Sequence, residues 1–425
     1  MFSKKTQLKK KLEQAKELVR LGQKVYDYRC DLLDPQDLTE LRDAIDSLNN
    51  LIKKTDVSAD ELKKAHDRLH NIAKKCGGTI YPLNFWAENT EMIVVAAILA
   101  LGIRTFFLQP FTIPTNSMYP SFYGMTSEVY TSKNEKPNLA KRIFRSIVLG
   151  ANNYEVKAPT TGELTIPLFS PKGPMPGYIR FEKAKGLRWF ILPTPMRLYT
   201  FYVGDHEVKV KVPWDFPLED VITKAYYPEL ESFGQVIEQA FKSKKIVALD
   251  GQPIIKTGKT IEKSQDVLDF DILAGDTLFV NRMIYHFRLP KIGEPIVFPT
   301  VNIEGMRAPD GTPEDKYFIK RLVGIGGDIL QIKESTLYRN GKPIEGAPAF
   351  DLNTKKIDDY PGYVGMGALS DERTVEIPKG YFYAMGDNSP YSQDSRSWGF
   401  VPEKEIIGRA AFIFYPFTKR WGIAK

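Results

Sequence analysis

The sequence predicts a mainly β-structured domain carrying a large β-rich insertion, preceded by one transmembrane helix and an N-terminal α-helical arm. Three observations predict it. Apolar residues recur at spacings of three and four through roughly the first 80 positions, a single long apolar run comes next, and the rest of the chain is dense in Gly, Pro and β-branched residues. The 425 residues suit two or three domains at about 150 residues each. A 43% hydrophobic fraction can fill a core and 26% charged residues are ordinary, so wholesale disorder, collagen and small disulfide scaffolds are excluded. The net charge of +7 fits attraction to anionic membranes or nucleic acid and identifies neither. Mean hydropathy of −0.29 excludes a multi-pass membrane protein and leaves room for one span.

The arm, residues 1–85, reads as helices. Leu38, Leu41, Ile45, Leu48 and Ile52 fall on one face, behind an N-cap and first-turn proline at Asp34-Pro35. A second helix starts at Ser58, with Glu61 completing a capping box and Leu62, Ala65, Leu69 and Ile72 forming its apolar face; Gly77-Gly78 ends it. Leu8, Leu12, Ala15 and Val19 supply an earlier partner, giving a small antiparallel bundle or coiled hairpin with a structural or partner-docking role. Cys30 and Cys76 lack zinc-site spacing and read as reduced thiols. His66 and His70 outline an HExxH pattern, but Asp67 replaces the glutamate that would act as base, so no metal is expected.

The transmembrane anchor is placed at 88–109, around the apolar run Met92–Leu108. Seventeen residues at ~1.5 Å each reach about 25 Å, the short end of a span, and Arg104 near one end can snorkel. A buried core helix is the competing reading. The run lies too far from the N-terminus for a cleavable leader, and Lys74 and Lys75 precede it while the next basic residue after it is Lys133. The positive-inside rule then puts the arm in the cytoplasm and the remainder outside.

Beyond the anchor, Thr336–Ile344 is a hairpin signal with Asn340-Gly341 in a type I′ turn. Residues 127–270 are too long for a loop and read as an inserted subdomain, with a strand at Val208–Val212 and a helix near Phe233–Phe241. Docking substrate, binding an assembly partner and touching lipid through Trp189, Phe190, Tyr199, Phe201 and Tyr202 are its open roles, and packing is the reading favoured for those rings.

Four segments carry chemistry. Gln109-Pro110-Phe111-Thr112-Ile113-Pro114-Thr115-Asn116-Ser117-Met118-Tyr119-Pro120 puts a serine where the chain leaves the lipid. Gly275-Asp276-Thr277-Leu278-Phe279-Val280-Asn281-Arg282 precedes Gly293-Glu294-Pro295-Ile296-Val297-Phe298. Lys316-Tyr317-Phe318-Ile319-Lys320-Arg321-Leu322-Val323-Gly324 embeds one lysine in a hydrophobic strand before the Gly-rich turn Gly324–Asp328. The last is Gly386-Asp387-Asn388-Ser389-Pro390-Tyr391-Ser392-Gln393-Asp394-Ser395-Arg396. In this order behind an anchor, the segments resemble bacterial type I signal peptidases, over the serine box and residues 271–416, under half of the chain. One departure is Gly326, where the family usually has proline; it is expected to loosen the turn without removing a reacting group.

The resemblance implies a signal-peptidase-like β-fold for a catalytic domain formed by 110–126 and 271–425. It also implies Ser117 as nucleophile, Lys320 as general base, and an oxyanion hole from the Thr115 hydroxyl and the Ser117 backbone N–H. It further implies that Ser392 hydrogen-bonds and orients Lys320, and that Asp394 pairs with Arg396 to brace that loop. No histidine lies in any of these segments, so a Ser-His-Asp triad has no support. A lysine base works only when neutral, which burial beside Phe318 and Ile319 favours because desolvation penalises the charged form. Asp276 and Asp387 read as turn-formers rather than acids or bases.

By the same resemblance the substrate is a signal peptide with small residues at −1 and −3, lying extended between 110–117 and the Lys320 strand. Phe111, Ile113, Pro114, Met118 and Ile319 are candidates for its pockets, with plain core packing the equal alternative. The expected protein is thus a serine endopeptidase that cleaves exported preproteins and needs no metal or organic cofactor. It would sit once across the bacterial inner membrane, N-terminus cytoplasmic and catalytic domain on the periplasmic face. Its partners are preproteins, the lipid bilayer and the export machinery, not nucleic acid. One rival is an inactive peptidase-like scaffold that binds partners through arm and insertion. Another is a self-cleaving repressor-type protease, against which the anchor argues.

Overall fold

The computed structural model describes residues 2–54, 58–82, 85–132, 134–169, 177–188, 192–249, 251–306 and 315–424. Lys133, Trp189 and Phe190 lie outside the described residues, as does the side chain of Leu8. The chain divides into two compact units, Met1–Gly102 and Ile103–Lys425.

The first unit contains α1 (Phe2–Arg29), α2 (Pro35–Ile52), α3 (Ala59–Cys76) and α4 (Phe85–Gly102). Pro35 opens α2 in its first turn, and the Ser58 side chain accepts from the Glu61 N–H to start α3. The apolar faces of α1–α3 meet: Ala15, Leu18, Leu41, Ile45, Leu48, Leu62 and Leu69 are all buried. The opposite holds for α4, whose apolar side chains from Met92 to Leu101 are exposed. The window Asn89–Phe107 is long and apolar enough to cross a membrane and none of it is buried. That argues against a core helix. The helix ends earlier than the sequence suggests, at Gly102, with a π-type turn through Phe107. Leu108 and Gln109, expected inside the anchor, instead begin a strand. Pro110 supplies the reason, since the residue before a proline is pushed out of the helical region.

The second unit is built on an antiparallel sheet that, among the described residues, has eight strands: β1 (Leu108–Thr112), β2 (Thr277–Asn281), β3 (Pro295–Pro299), β4 (Tyr317–Ile325), β5 (Tyr381–Met385), β6 (Val401–Pro402), β7 (Gly408–Tyr415) and β8 (Gly422–Ile423). They run in the order β1-β2-β7-β3-β4-β5-β6, with β8 beside β7. Among the open edges of this sheet are two that flank the serine segment. β1 pairs on one side only, with β2. β4 pairs with β3 through Tyr317–Arg321 and with β5 only from Arg321 onward, so its first four residues also have one unpartnered edge. Ile113, Met118, Phe122, Leu278, Val280 and Val297 fill the core beneath β1. A separate four-stranded sheet carries the Asn340-Gly341 hairpin, both turn residues having positive φ as a type I′ turn requires.

The insertion opens with α5 (Leu139–Leu149). Its own core is formed by a sheet that includes Gly162–Phe169, Leu192–Val203, His206–Pro213 and Gln252–Ile261 and by α6 (Leu218–Tyr226) and α7 (Phe233–Lys242). Tyr199 and Phe201 are completely buried there and Tyr202 half-buried, so the first two pack rather than meet lipid. The expected boundaries at 126/127 and 270/271 cut through paired strands, Thr126–Val129 against Asp266–Leu273, which form a stalk between the insertion and the rest of this unit.

Candidate active site

Ser117 occupies a single 3₁₀ turn, Asn116–Met118, where the chain leaves β1 and reverses. Four contacts fix that turn. The Asn388 N–H donates to the Ser117 carbonyl at 3.1 Å, and the Asn388 side chain donates to the Asn116 carbonyl at 3.0 Å. The Asn116 side-chain oxygen accepts from the Gly124 N–H at 2.8 Å. Met118, fully buried, plugs the turn into the core. On the way in, the Ile113 N–H donates to the Asp276 carbonyl, and the Asp276 carboxylate accepts from the Tyr123 N–H and from Arg420. One aspartate thus ties both sides of the serine segment.

Lys320 comes from the middle of β4, 3% exposed, and its Nζ lies 2.5 Å from the Ser117 Oγ. Burial lowers its pKa from 10.5 to about 8, against the smaller opposing pull of the Asp394 and Asp387 carboxylates. The ammonium therefore loses its proton far more readily than a surface lysine, and the neutral amine already faces a hydroxyl it can deprotonate. The Phe318 ring sits 5.3 Å from the same nitrogen and supplies part of the dry wall. Ile319 points the other way along the strand and packs against the Met118 cluster.

Side chains alternate along a strand, so Arg321, next to Lys320, projects to the opposite face. It is equally buried but keeps its charge: Nε and Nη2 reach both oxygens of Asp387 at 2.7 and 2.6 Å, and Nη1 donates to the Gly293 carbonyl at 2.6 Å. Asp387 is thus the counter-ion of a buried arginine, a role that sequence reasoning missed for both residues. A hydrophobic strand with two consecutive cations was the available signal, since the second must find a carboxylate somewhere.

Asp394 and Arg396 form a fully buried bidentate pair at 2.7 and 2.8 Å, and Asp394 also accepts from the Gly386 N–H at 3.0 Å. Ser392 is buried beside Gly386, but among the described residues its Oγ finds no hydrogen-bond partner, and the bond to Lys320 expected of it is not formed; the Lys320 amine is turned to Ser117. Thr115 is exposed at the start of the serine turn. Ile113 and Met118 belong to the core, whereas Phe111, Pro114 and Ile319 stay half-buried, with Phe111 edge-on to Tyr317 at 5.1 Å. Gly326 lies against the 378–380 backbone. A Cβ there would lie 2.9 Å from the Lys379 Cα and 3.0 Å from the Pro378 carbonyl oxygen, so the glycine permits a tight approach of two backbones. Among the described residues, no three His, Cys, Asp or Glu side chains gather to hold a metal.

Part of the chain is similar to known proteins. The family model described as signal peptidase, peptidase S26, matches residues 268–415. A probable signal peptidase I-1 of Synechocystis is 34% identical over 148 residues, which are 35% of this chain and 66% of that protein. Signal peptidase I of Bacillus licheniformis is 32% identical over 146 residues, 34% of this chain and 70% of that protein. The chain therefore spans about two thirds of the length of these relatives. A crystal structure of a signal peptidase I from Enterococcus faecalis aligns with 29% of this chain and 98% of its own, at 23% identity and a TM-score of 0.22.

Proposed function

The chain belongs to the signal peptidase family, peptidase S26, and from that premise we propose that it is a membrane-anchored serine endopeptidase that removes signal peptides from exported preproteins. The observation that carries the proposal is the 2.5 Å contact between the Ser117 hydroxyl and a buried lysine whose pKa falls to about 8.

The chemistry rests on that pair. Neutral Lys320 takes the hydroxyl proton as the Ser117 Oγ adds to the scissile carbonyl. The oxyanion that forms is held by the Ser117 N–H and the Thr115 hydroxyl. Protonated Lys320 then passes its proton to the departing amine, which leaves as the mature protein's N-terminus. A water deprotonated by Lys320 hydrolyses the ester and restores the serine. The Asp394–Arg396 pair braces the loop that carries Ser392.

The two open edges, on β1 and on Tyr317–Lys320 of β4, support an extended substrate added as a strand between them. With Ile113 and Met118 already filling the floor, little depth remains, which favours small side chains at −1 and −3. Half-buried Phe111, Pro114 and Ile319 are the side chains available to touch them.

The division we propose is a cytoplasmic arm (1–85), an anchor that ends at Phe107, a catalytic domain on the outer face of the inner membrane, and an insertion between its two parts. Lys74 and Lys75 ahead of the apolar helix support this orientation. The export machinery is the natural source of substrate.

The test is direct. Detergent-solubilised protein is incubated with a preprotein, and the new N-terminus is sequenced. Cleavage after an A-x-A-like site, lost in Ser117→Ala and Lys320→Met while both variants remain folded, supports the reading. Near-normal turnover by either variant, or preprotein binding without hydrolysis by the unaltered chain, overturns it.

A further inference from the structure

Helix α5, in the insertion and outside the family match, is folded inside out. Its Asn138 cap accepts from the Lys141 N–H and Gly150 closes it with a positive φ, so both ends are well defined. A surface helix normally turns its apolar stripe inward. Here Arg142 and Arg145 face the protein, on Asn153 at 3.0 Å and on Asp271 at 3.3 Å, with Glu128 also bonded to Arg145. Leu139, Ile143, Phe144 and Ile147 face outward at 71, 55, 62 and 65% exposure. The helix buries none of its residues completely.

We propose that α5 is an interfacial helix that lies in the lipid surface and holds the catalytic unit against the bilayer. The proposal rests on the anchor reading. Three observations favour lipid as the occupant. First, α5 contains no acid, and Lys141, the one of its three cations not turned to the protein, is exposed, which suits anionic headgroups. Second, the C-terminal end of α5 is fastened to the sheet that begins where the anchor ends. The Phe417 N–H donates to the Val148 carbonyl, the Ala274 N–H to the Leu149 carbonyl, and the Arg282 N–H to the Phe107 carbonyl. A helix so tied moves with the serine segment, not independently of it. Third, apolar surface is exposed beside both fastenings, Phe417 just after β7 at 58% and Phe106 in the turn before β1 at 64%. Through α5, the groove between β1 and β4 is held at a fixed attitude to the membrane, where the apolar part of a signal peptide is still embedded.

The test uses the full chain reconstituted in vesicles containing anionic lipid, with Cys30→Ser and Cys76→Ser as background. A single cysteine is placed at Ile143, at Ile98 in α4 or at exposed Ser132, and labelled with a fluorophore. Quenching by nitroxide lipids is then compared with quenching by aqueous iodide. The expected result is lipid quenching at Ile143 and Ile98 and iodide quenching at Ser132. Iodide quenching at Ile143 with lipid quenching at Ile98 overturns the α5 proposal and leaves the anchor intact; loss of lipid quenching at both overturns both. Ready disulfide formation between copies through Phe144→Cys would assign the face to a second copy and likewise overturn it. In parallel, Phe144→Glu combined with Ile147→Glu is expected to lower processing of a full preprotein in vesicles about tenfold while leaving turnover of a short peptide in detergent unchanged. An equal fall in both assays overturns the proposal.

Discussion

Arg321 and Asp387 face each other through two parallel hydrogen bonds of 2.7 and 2.6 Å, with side chains 2 and 1% exposed, one residue along the strand from Lys320. Two adjacent cations on one strand thus meet opposite fates because their faces differ. One finds a carboxylate in contact, the other a hydroxyl and an aromatic ring.

Breaking that pair is expected to unfold the site. Asp387→Asn leaves the guanidinium buried without its counter-ion and should cost about 3–5 kcal/mol, read as a lowered thermal unfolding midpoint. Replacing both partners by Arg321→Met with Asp387→Leu should recover much of the loss. A single variant as stable as the parent would show that the pair contributes little.

The pH dependence is set by Lys320. Its protonated form cannot act as base, so kcat/KM for a short peptide should rise roughly tenfold per pH unit below about 8 and level off above it. Stability should track the same group. Between about 8 and 10.5 the unfolded chain holds a proton that the folded chain has released, so stability rises with pH across that window. Lys320→Met should abolish this rise and be the more stable protein at neutral pH. A pH–rate profile flat from about 6 to 9 would contradict the assignment.

Thr115→Val tests the oxyanion donor. The side chain is exposed, so folding should be unaffected. Loss of one such hydrogen bond should lower kcat by about 100–1,000-fold with KM nearly constant. Thr115→Ser, which keeps the hydroxyl, should restore most of the activity.

Gly386→Ala tests how closely the serine turn is held. The added Cβ would stand 2.1 Å from the Ser392 Oγ and 2.3 Å from the Ser117 carbonyl oxygen, and the second of these is backbone. A shift of the serine turn by a fraction of an ångström is expected to reduce kcat by more than about tenfold. The thermal unfolding midpoint should fall as well, because the overlap is with backbone as much as with side chain.

Local chemistry accounts for the parts of this structure that were legible in the sequence. Asn340-Gly341 specifies its own turn, Ser58 caps the helix after it, and Ser117 and Lys320 stand in segments recognisable in order. The apolar run continues to Leu108, where the first strand starts just ahead of Pro110, so hydropathy alone does not mark the helix end. What stayed hidden depends on partners distant along the chain. Asn116 meets Asn388 across 272 positions and Asp276 meets Arg420 across 144, and no spacing rule links such pairs. The same holds for α5. Its periodicity alone cannot say that the stalk strands would claim its arginines and turn its apolar face outward.

Ser117 and Lys320, the pair proposed as nucleophile and base, are 203 positions apart, with the whole insertion threaded between them. During synthesis the serine turn emerges from the ribosome long before its lysine, and it is chemically inert until the later strand docks. On that proposed pairing, hydrolysis has to await docking of β4. A nascent or prematurely terminated product lacking β4 carries the attacking hydroxyl without any means to activate it, and neighbouring polypeptides are spared while the protease is still being made.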